Sequence, residues 1–114
     1  MGQLKNLSTT VRLTVANPSS ENKSAFGPGI AKLCLGVREM GSLNAAAKGM
    51  RMAYSKAWRI IKETEAALEI QLLNRDGAHG SSLTDEGNKL LDSYLEIAKR
   101  VQEAAEKKFH RLVD

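Results

Sequence analysis

The first part of the chain alternates apolar and polar residues, and the rest follows a helical spacing. Alternation over residues 7–16 predicts a strand with one solvent-exposed face, and its apolar positions are Val11, Leu13 and Val15. The polar loop NPSSENKS, residues 17–24, follows, and Phe26 begins a short return strand. We therefore expect residues 1–27 to form an N-terminal strand and loop within the same domain as the remainder.

Two helices with a short connection are predicted next. The first runs from about Pro28 to Met40, since proline is tolerated in the first helical turn and apolar residues then recur every three or four positions. This spacing predicts one buried stripe, which consists of Ile30, Leu33, Cys34 and Val37, with Cys34 as a small core residue. Gly41 predicts a left-handed cap, and Ser42 predicts the N-cap of a short helix from about Leu43 to Lys48. Gly49 is expected to allow the tight turn that follows.

The third predicted helix, roughly Ala53 to Leu68, has an apolar side and a basic side. The apolar side is expected to face the core, with the tryptophan as its largest buried side chain; it consists of Ala57, Trp58, Ile61, Thr64, Glu65 and Leu68. The opposite side is expected to be exposed, and it consists of Ser55, Lys56, Arg59, Lys62 and Glu63.

A hairpin is predicted after the third helix. Leu72, Leu73 and Arg75 indicate a short strand, residues 76–80 form a tip with two glycines, and Ser82-Leu83 is the returning strand.

The last predicted helix is unusually long for so small a domain. Thr84 predicts its N-cap, and it extends from about Asp85 to Phe109. Its apolar seam repeats roughly every seven residues, which favours burial against a second copy of the same helix. The residues of this predicted dimer seam are Leu91, Tyr94, Ala98, Val101, Ala105 and Leu112.

Charge is distributed unevenly along the chain. The net charge of +4 is moderate, but no acidic residue lies between Glu39 and Glu63, and this gap contains Lys48, Arg51, Lys56, Arg59 and Lys62. A patch of one sign on a pair of helices is typical of a surface that binds a polyanion, and nucleic acid is the obvious candidate. The alternative is a merely solvated face.

Composition and motifs exclude several classes of function. With 114 residues there is room for one domain, no apolar run approaches a membrane span, and the amino terminus lacks the apolar core of a signal peptide. The lone Cys34 suits a reducing compartment, so we expect a cytoplasmic protein. Neither His79 nor His110 has a metal-ligand or catalytic partner at a recognisable spacing, and the glycines fit no phosphate loop. We expect no enzyme activity, no metal and no cofactor.

Helix, short helix, glycine turn, basic amphipathic helix and glycine-tipped hairpin together predict a winged helix-turn-helix, mainly α with a small β component. The run GSLNAAAKGMRMAYSKAW resembles the helix-turn-helix of the molybdate-responsive ModE-type regulators, as do FGPG before the first helix and the LTDEG that follows the hairpin. The Gly-Ser, Ala-Ala and LT-x-x-G landmarks are also similar to the more distant LysR-type regulators. This chain departs from the ModE-type pattern at Ala53, where serine is usual, and in its short wing DGAHGSS.

The resemblance, which covers about residues 25–95, implies a DNA-binding transcription regulator. It divides the chain into the N-terminal strand and loop (1–27), the winged helix-turn-helix (28–84) and a C-terminal dimerisation helix (85–114). The separate molybdate-binding domain of the sensor members has no counterpart in this chain, and no oxyanion pocket can be assigned.

A recognition helix needs long donors near its amino-terminal half. Lys56 and Arg59 therefore suit base contacts, with Ser55 touching base or phosphate and Arg59 alternatively pairing with Glu63. The other residues predicted to touch DNA, mainly at phosphates, are Ser42, Asn44, Arg51, Tyr54, Lys62 and, from the wing, Arg75 and His79. A homodimer would read an inverted-repeat operator.

Two alternatives use the same scaffold differently. The long last helix would be the docking surface of a protein-interaction module, with the basic face incidental. RNA binding is less favoured, because Tyr54 is the one aromatic residue near the basic face to stack on an unpaired base.

Overall fold

A computed structural model describes residues 3–75 and 80–114 of the chain. Over these residues it has a short 3₁₀ turn at Leu4–Asn6, then helices α1 (Pro28–Met40), α2 (Leu43–Gly49) and α3 (Tyr54–Leu68). Strands β1 (Leu73–Arg75) and β2 (Ser81–Leu83) and the long helix α4 (Asp85–Val113) complete the order. This mostly helical chain with one two-stranded sheet is the predicted winged helix-turn-helix.

Helix boundaries follow the capping residues. Gly41 ends α1 in the left-handed conformation, and its N–H bonds to the carbonyl oxygen of Val37. Ser42 caps α2 by accepting the N–H of Ala45 at 3.0 Å. The turn that follows differs from the prediction: Gly49 is still helical, and the left-handed residue is Arg51, with φ 55°.

Helices α1 and α2 approach each other closely because both carry small residues at their crossing. A Cβ placed on Gly36 of α1 would lie 2.7 Å from the Cβ of Ala46 on α2, far inside van der Waals contact. Ala46 and Ala47 are buried, as is the stripe of α1 that faces them. The alanine run predicted to allow a close helix approach therefore makes one.

Replacing Gly36 by alanine should lower the free energy of unfolding by about 1–3 kcal/mol, because the added methyl group overpacks this crossing. Gly29→Ala is the matched control: it lies in the same helix, and nothing is within 4 Å of its added Cβ. Chemical denaturation of both variants checks this. Equal stability of the two would show that α1 and α2 separate easily.

The hairpin is held against α3 by a carboxylate. Strands β1 and β2 form the predicted antiparallel hairpin, and Leu73 pairs with Leu83. Glu65 of α3, predicted only as part of the core-facing side, accepts the N–H groups of Leu72 and Leu73 at 2.7 and 3.3 Å. This side chain therefore fixes where the wing leaves α3.

Helix α4 begins at its predicted cap and runs four residues beyond its predicted end. Thr84 accepts the N–H of Gly87 at 2.9 Å. The buried residues of α4 are Gly87, Leu91 and Tyr94, all in its first third. Leu91 and Tyr94 were predicted as dimer-seam residues, and that assignment is wrong, because both side chains lie inside the core of a single chain.

The rest of the predicted seam lies at the surface to different degrees. Ala98 packs against the core at its edge, Val101 and Ala105 are half-buried, and Leu112 is 70% exposed. Ile97, outside the predicted seam, is 46% exposed. The exposed apolar residues of α4 are therefore centred on a different side of the helix from the predicted seam.

The N-terminal segment does not form the predicted strand. Its backbone makes one isolated bridge, between Val15 and Phe26, where both N–H to carbonyl oxygen distances are 2.8 Å. Backbone groups of Thr9, Val11 and Leu13 bond to side chains of α4 instead of a neighbouring strand: Val11 N–H, for example, donates to Gln102 Oε1 at 2.8 Å. We call residues 7–26 the N-terminal strap.

The core contains the lone cysteine. Cys34 is fully buried, and burial raises the pKa of its thiol to about 12, so it stays protonated and packs as a small apolar residue, as predicted.

No helix within residues 3–75 and 80–114 combines the length and the apolar character required to cross a membrane.

Candidate nucleic-acid interface

Helix α3 turns its basic side to solvent. Ala57, Ile61 and Thr64 are buried, which fixes the orientation of the helix about its axis. The predicted contact residues on the other side are all exposed: Ser55, Lys56, Arg59 and Lys62. Long donors are therefore gathered on the first two and a half turns of a helix whose opposite side is anchored in the core.

Arg59 has a weak intramolecular partner. Its Nη1 lies 3.7 Å from Glu63 Oε1 one turn further on, and the two side chains are 61% and 49% exposed. An exposed pair at this spacing contributes only about 0.3–0.5 kcal/mol. Glu63 therefore orients the guanidinium without preventing it from binding another anion.

Trp58 is not the large buried side chain of α3 that the sequence predicted. It is half-buried at the edge of the core, and its indole N–H donates to the Tyr54 hydroxyl at 2.5 Å. The Lys62 ammonium lies 5.7 Å from the centroid of its ring, a cation–π contact. Tyr54, Trp58 and Lys62 thus form one surface stripe at four-residue spacing.

The amino-terminal end of α3 lacks a side-chain cap. Ala53 occupies the N-cap position and has no side chain to accept a hydrogen bond from the first turn. No acidic residue lies in that turn. The free N–H groups and the helix dipole make this end attractive to an anion.

Helix α2 and the turn after it add further donors beside α3. Asn44 and Arg51 are exposed, and Ser42 is half-buried with its oxygen used as the α2 cap. Three backbone hydrogen bonds hold the turn. The N–H groups of Met50 and Met52 donate to the carbonyl oxygen of Ala47, and the N–H of Arg51 donates to that of Lys48. The left-handed conformation of Arg51 is therefore imposed by its neighbours.

The wing is described only in part. The backbone of Arg75 ends β1, opposite Ser81. The prediction for His79 concerns a residue outside the described ranges. In the described ranges, no three His, Cys, Asp or Glu side chains are grouped as a metal site would need.

One interaction near the interface was not predicted. Arg38, at the end of α1, pairs with Asp92 of α4 at 2.8 Å and donates to the side chain of Asn88. It ties the helix-turn-helix to the start of α4. Its position in the last turn of α1 was visible in the sequence, but its partners are about fifty residues further along.

Comparison with known proteins identifies this arrangement. Residues 31–88 match the family of bacterial regulatory helix-turn-helix proteins of the lysR type, which is about half of the chain. No curated protein matches the chain. The match is to the family that the sequence resembled more distantly, not to the ModE-type regulators.

Two of the similar solved structures show how far the match extends. One is the crystal structure of a CbnR_DBD–DNA complex, at 31% identity and a TM-score of 0.55, covering 65% of this chain and 87% of that one. The other is VV2_1132, a LysR family transcriptional regulator, at 25% identity and a TM-score of 0.53. The similar part is 62% of this chain but only 24% of VV2_1132.

Proposed function

The chain belongs to the lysR family of bacterial regulatory helix-turn-helix proteins, and from that premise we propose that it binds an inverted repeat in double-stranded DNA as a homodimer. DNA-binding transcription regulation is the function of the family. We propose in addition which residues of α3 and its surroundings contact DNA, and which surface binds the second copy. A protein that regulates transcription acts on the chromosome, so we place it in the cytoplasm.

The exposed basic side of α3 carries this proposal. With Ala57 and Ile61 anchored in the core, Lys56 and Arg59 extend from the first half of the helix, where a recognition helix meets base edges in the major groove. Arginine pairs with guanine through two hydrogen bonds, and lysine bonds the same acceptors. One of the similar structures was solved with DNA.

Phosphate contacts are proposed around these two residues. The uncapped N–H groups at the start of α3 suit one phosphate, beside Ser55. The Tyr54 hydroxyl accepts from Trp58 and keeps its own proton to donate. The flanking phosphate contacts are assigned to Ser42, Asn44, Arg51 and Lys62, and those of the wing to Arg75 and His79.

The second copy is proposed to pack on the open side of α4. Ile97 is exposed, Val101 is half-buried and Ala104 is exposed, at a spacing of four and three residues. We call these three residues the outer stripe. Such spacing fits a helix that carries the same pattern, and a two-fold axis supplies that helix. The remaining seam residues, Ala98, Ala105 and Leu112, flank the stripe.

Selection of bound sites from random DNA duplexes tests the proposal directly. The expected product is an inverted repeat whose half-sites are about one or more helical turns apart, on the order of 34 Å per turn. A single unrepeated motif would contradict the dimer. No enrichment at all would contradict sequence-specific binding.

Arg59→Ala should weaken binding to the selected site by about 1–3 kcal/mol per half-site and relax specificity at one base pair, since a base contact is lost. Because the side chain is 61% exposed, the melting temperature should change little. Lys107→Ala on the exposed side of α4 removes the same charge and should bind like the parent. Fluorescence anisotropy titrations measure all three chains. Parent-like binding by Arg59→Ala would remove this residue from the interface.

A protein-interaction module is the alternative function. It would use the outer stripe of α4 for a different protein, and its binding would depend little on salt. DNA binding through five or more phosphates should instead fall steeply as salt rises. The ModE-type resemblance rests on sequence motifs alone, and we propose no molybdate site for this chain.

A further inference from the structure

We infer that the N-terminal strap braces α4 against the recognition helix and thereby sets which half-site spacing the dimer accepts. This inference rests on the proposed homodimer through α4. The strap precedes residues 31–88, the part that the family model matches, so the family comparison says nothing of it.

The strap is bonded along α4, from the core outwards. Thr9 donates its N–H and its hydroxyl to Glu106 Oε1, both at 2.7 Å. Val11 N–H donates to Gln102 Oε1, and Gln102 Nε2 donates back to the Thr9 carbonyl oxygen, both at 2.8 Å. The Tyr94 hydroxyl donates to the carbonyl oxygen of Leu13 at 2.8 Å. These bonds span more than three turns of the helix.

The Glu106 carboxylate is the strongest of these acceptors. Hydrogen bonds from the backbone and side chain of Thr9, and then from His110, lower its pKa. It is therefore ionised at neutral pH, and a charged acceptor makes shorter and stronger hydrogen bonds than a neutral one.

The other end of the strap is bonded to α3. The Asn22 side-chain amide donates to the carbonyl oxygen of Glu63 at 3.3 Å, and that of Asn17 reaches Glu69 Oε2 at 3.5 Å. The bridge between Val15 and Phe26 joins this loop to the extended part. One continuous segment thus links the recognition helix to the middle of α4.

Such a link matters because α4 acts as a lever. No residue of α4 beyond Tyr94 is buried, although the helix continues to Val113, which is about 28 Å at 1.5 Å per residue. Small changes of angle at the core therefore become displacements of several ångströms between the two recognition helices of a dimer. The rise per base on DNA is about 3.4 Å, so such a displacement changes the preferred half-site spacing. Gln102 and Glu106 lie far from the point where α4 leaves the core, so the strap bonds there resist a change in the angle of α4 most effectively.

The test compares the parent with Gln102→Ala/Glu106→Ala, which removes the strap bonds from side chains that lie away from the outer stripe. Glu96→Ala/Arg100→Ala is the matched control, since it removes an exposed ion pair of 3.0 Å from the same helix and leaves the strap bonded. Each chain is titrated with the selected inverted repeat, with repeats lengthened or shortened by one or two base pairs, and with a single half-site.

The parent and the control should lose about tenfold or more in affinity when the spacing is changed, because both half-sites can no longer be bound together. The strap variant should lose less than about threefold and should bind the single half-site like the parent. Asn22→Ala, which removes the shorter of the two hydrogen bonds between the strap and the end of α3, should relax the spacing in the same direction. Melting temperatures confirm that the variants are folded.

Two results would overturn the inference, and they are distinguishable. If the parent is sensitive to spacing and both strap variants are equally sensitive, the strap is not the brace, while the dimer stands. If the parent is insensitive to spacing and is a monomer by light scattering, the proposed dimer fails, and the brace fails with it.

Discussion

Leu91→Ala is expected to lower the free energy of unfolding by about 2–5 kcal/mol, because it empties a fully buried site between α4 and the rest of the core. The sequence grouped Leu91 with Leu112 in one seam, and the structure separates them. A leucine that is fully enclosed by its own chain contributes to folding before any second copy arrives.

Leu112→Ala is the control from the same predicted seam. Its side chain is 70% exposed, so truncation should change stability by no more than about 0.5 kcal/mol. Urea denaturation at several protein concentrations measures both variants. If both variants instead changed the free energy of unfolding by the same small amount, and that amount depended on protein concentration, Leu91 would belong to an interface between copies.

The helix boundaries were predictable because they depend on single residues with strong local preferences. Gly41 supplies a left-handed backbone, and Ser42 and Thr84 supply side-chain oxygens for the first turns of α2 and α4. These interactions lie within three or four residues of each cap, so they are readable without knowledge of the fold.

The orientation of α3 and α4 about their axes was predicted less well. Periodicity shows that a helix has an apolar side, but it does not locate the centre of that side. Trp58 lies about 110° around α3 from the middle of its buried residues, which places it at the edge of the core. Its size suggested burial, whereas the small Ala57 occupies the centre.

The N-terminal strap could not be predicted, because its partners are distant side chains. Alternating residues at 7–16 predicted a strand, but within the described part of the chain only Val15 pairs with another backbone segment, at Phe26. The pattern does not show whether the backbone bonds to another strand or to Gln102 and Glu106, more than ninety residues away. Glu65 was assigned to the core-facing side for the same reason: its bonds to the backbone N–H groups of Leu72 and Leu73 do not show in the periodicity of α3.

Ile97→Asp is expected to convert the dimer to a monomer and to reduce affinity for the inverted repeat by about 10²–10⁴-fold, since two linked half-sites then bind separately. Ile97 is the most exposed of the two branched residues of the outer stripe, at 46%. A carboxylate there costs little in a solvated monomer, but two such charges meet near the two-fold axis of a dimer, where they are desolvated and repel each other.

Lys99→Gln is the control for this variant, because it also lowers the charge by one and its exposed side chain lies across α4 from the outer stripe. Multi-angle light scattering at micromolar concentration gives the oligomeric state, and titration with a single half-site gives the intrinsic affinity. The Ile97→Asp chain should bind the single half-site like the parent, because α3 is untouched. If it remains a dimer and binds the inverted repeat at parental affinity, the second copy does not pack on the outer stripe, and the operator symmetry must arise from another surface.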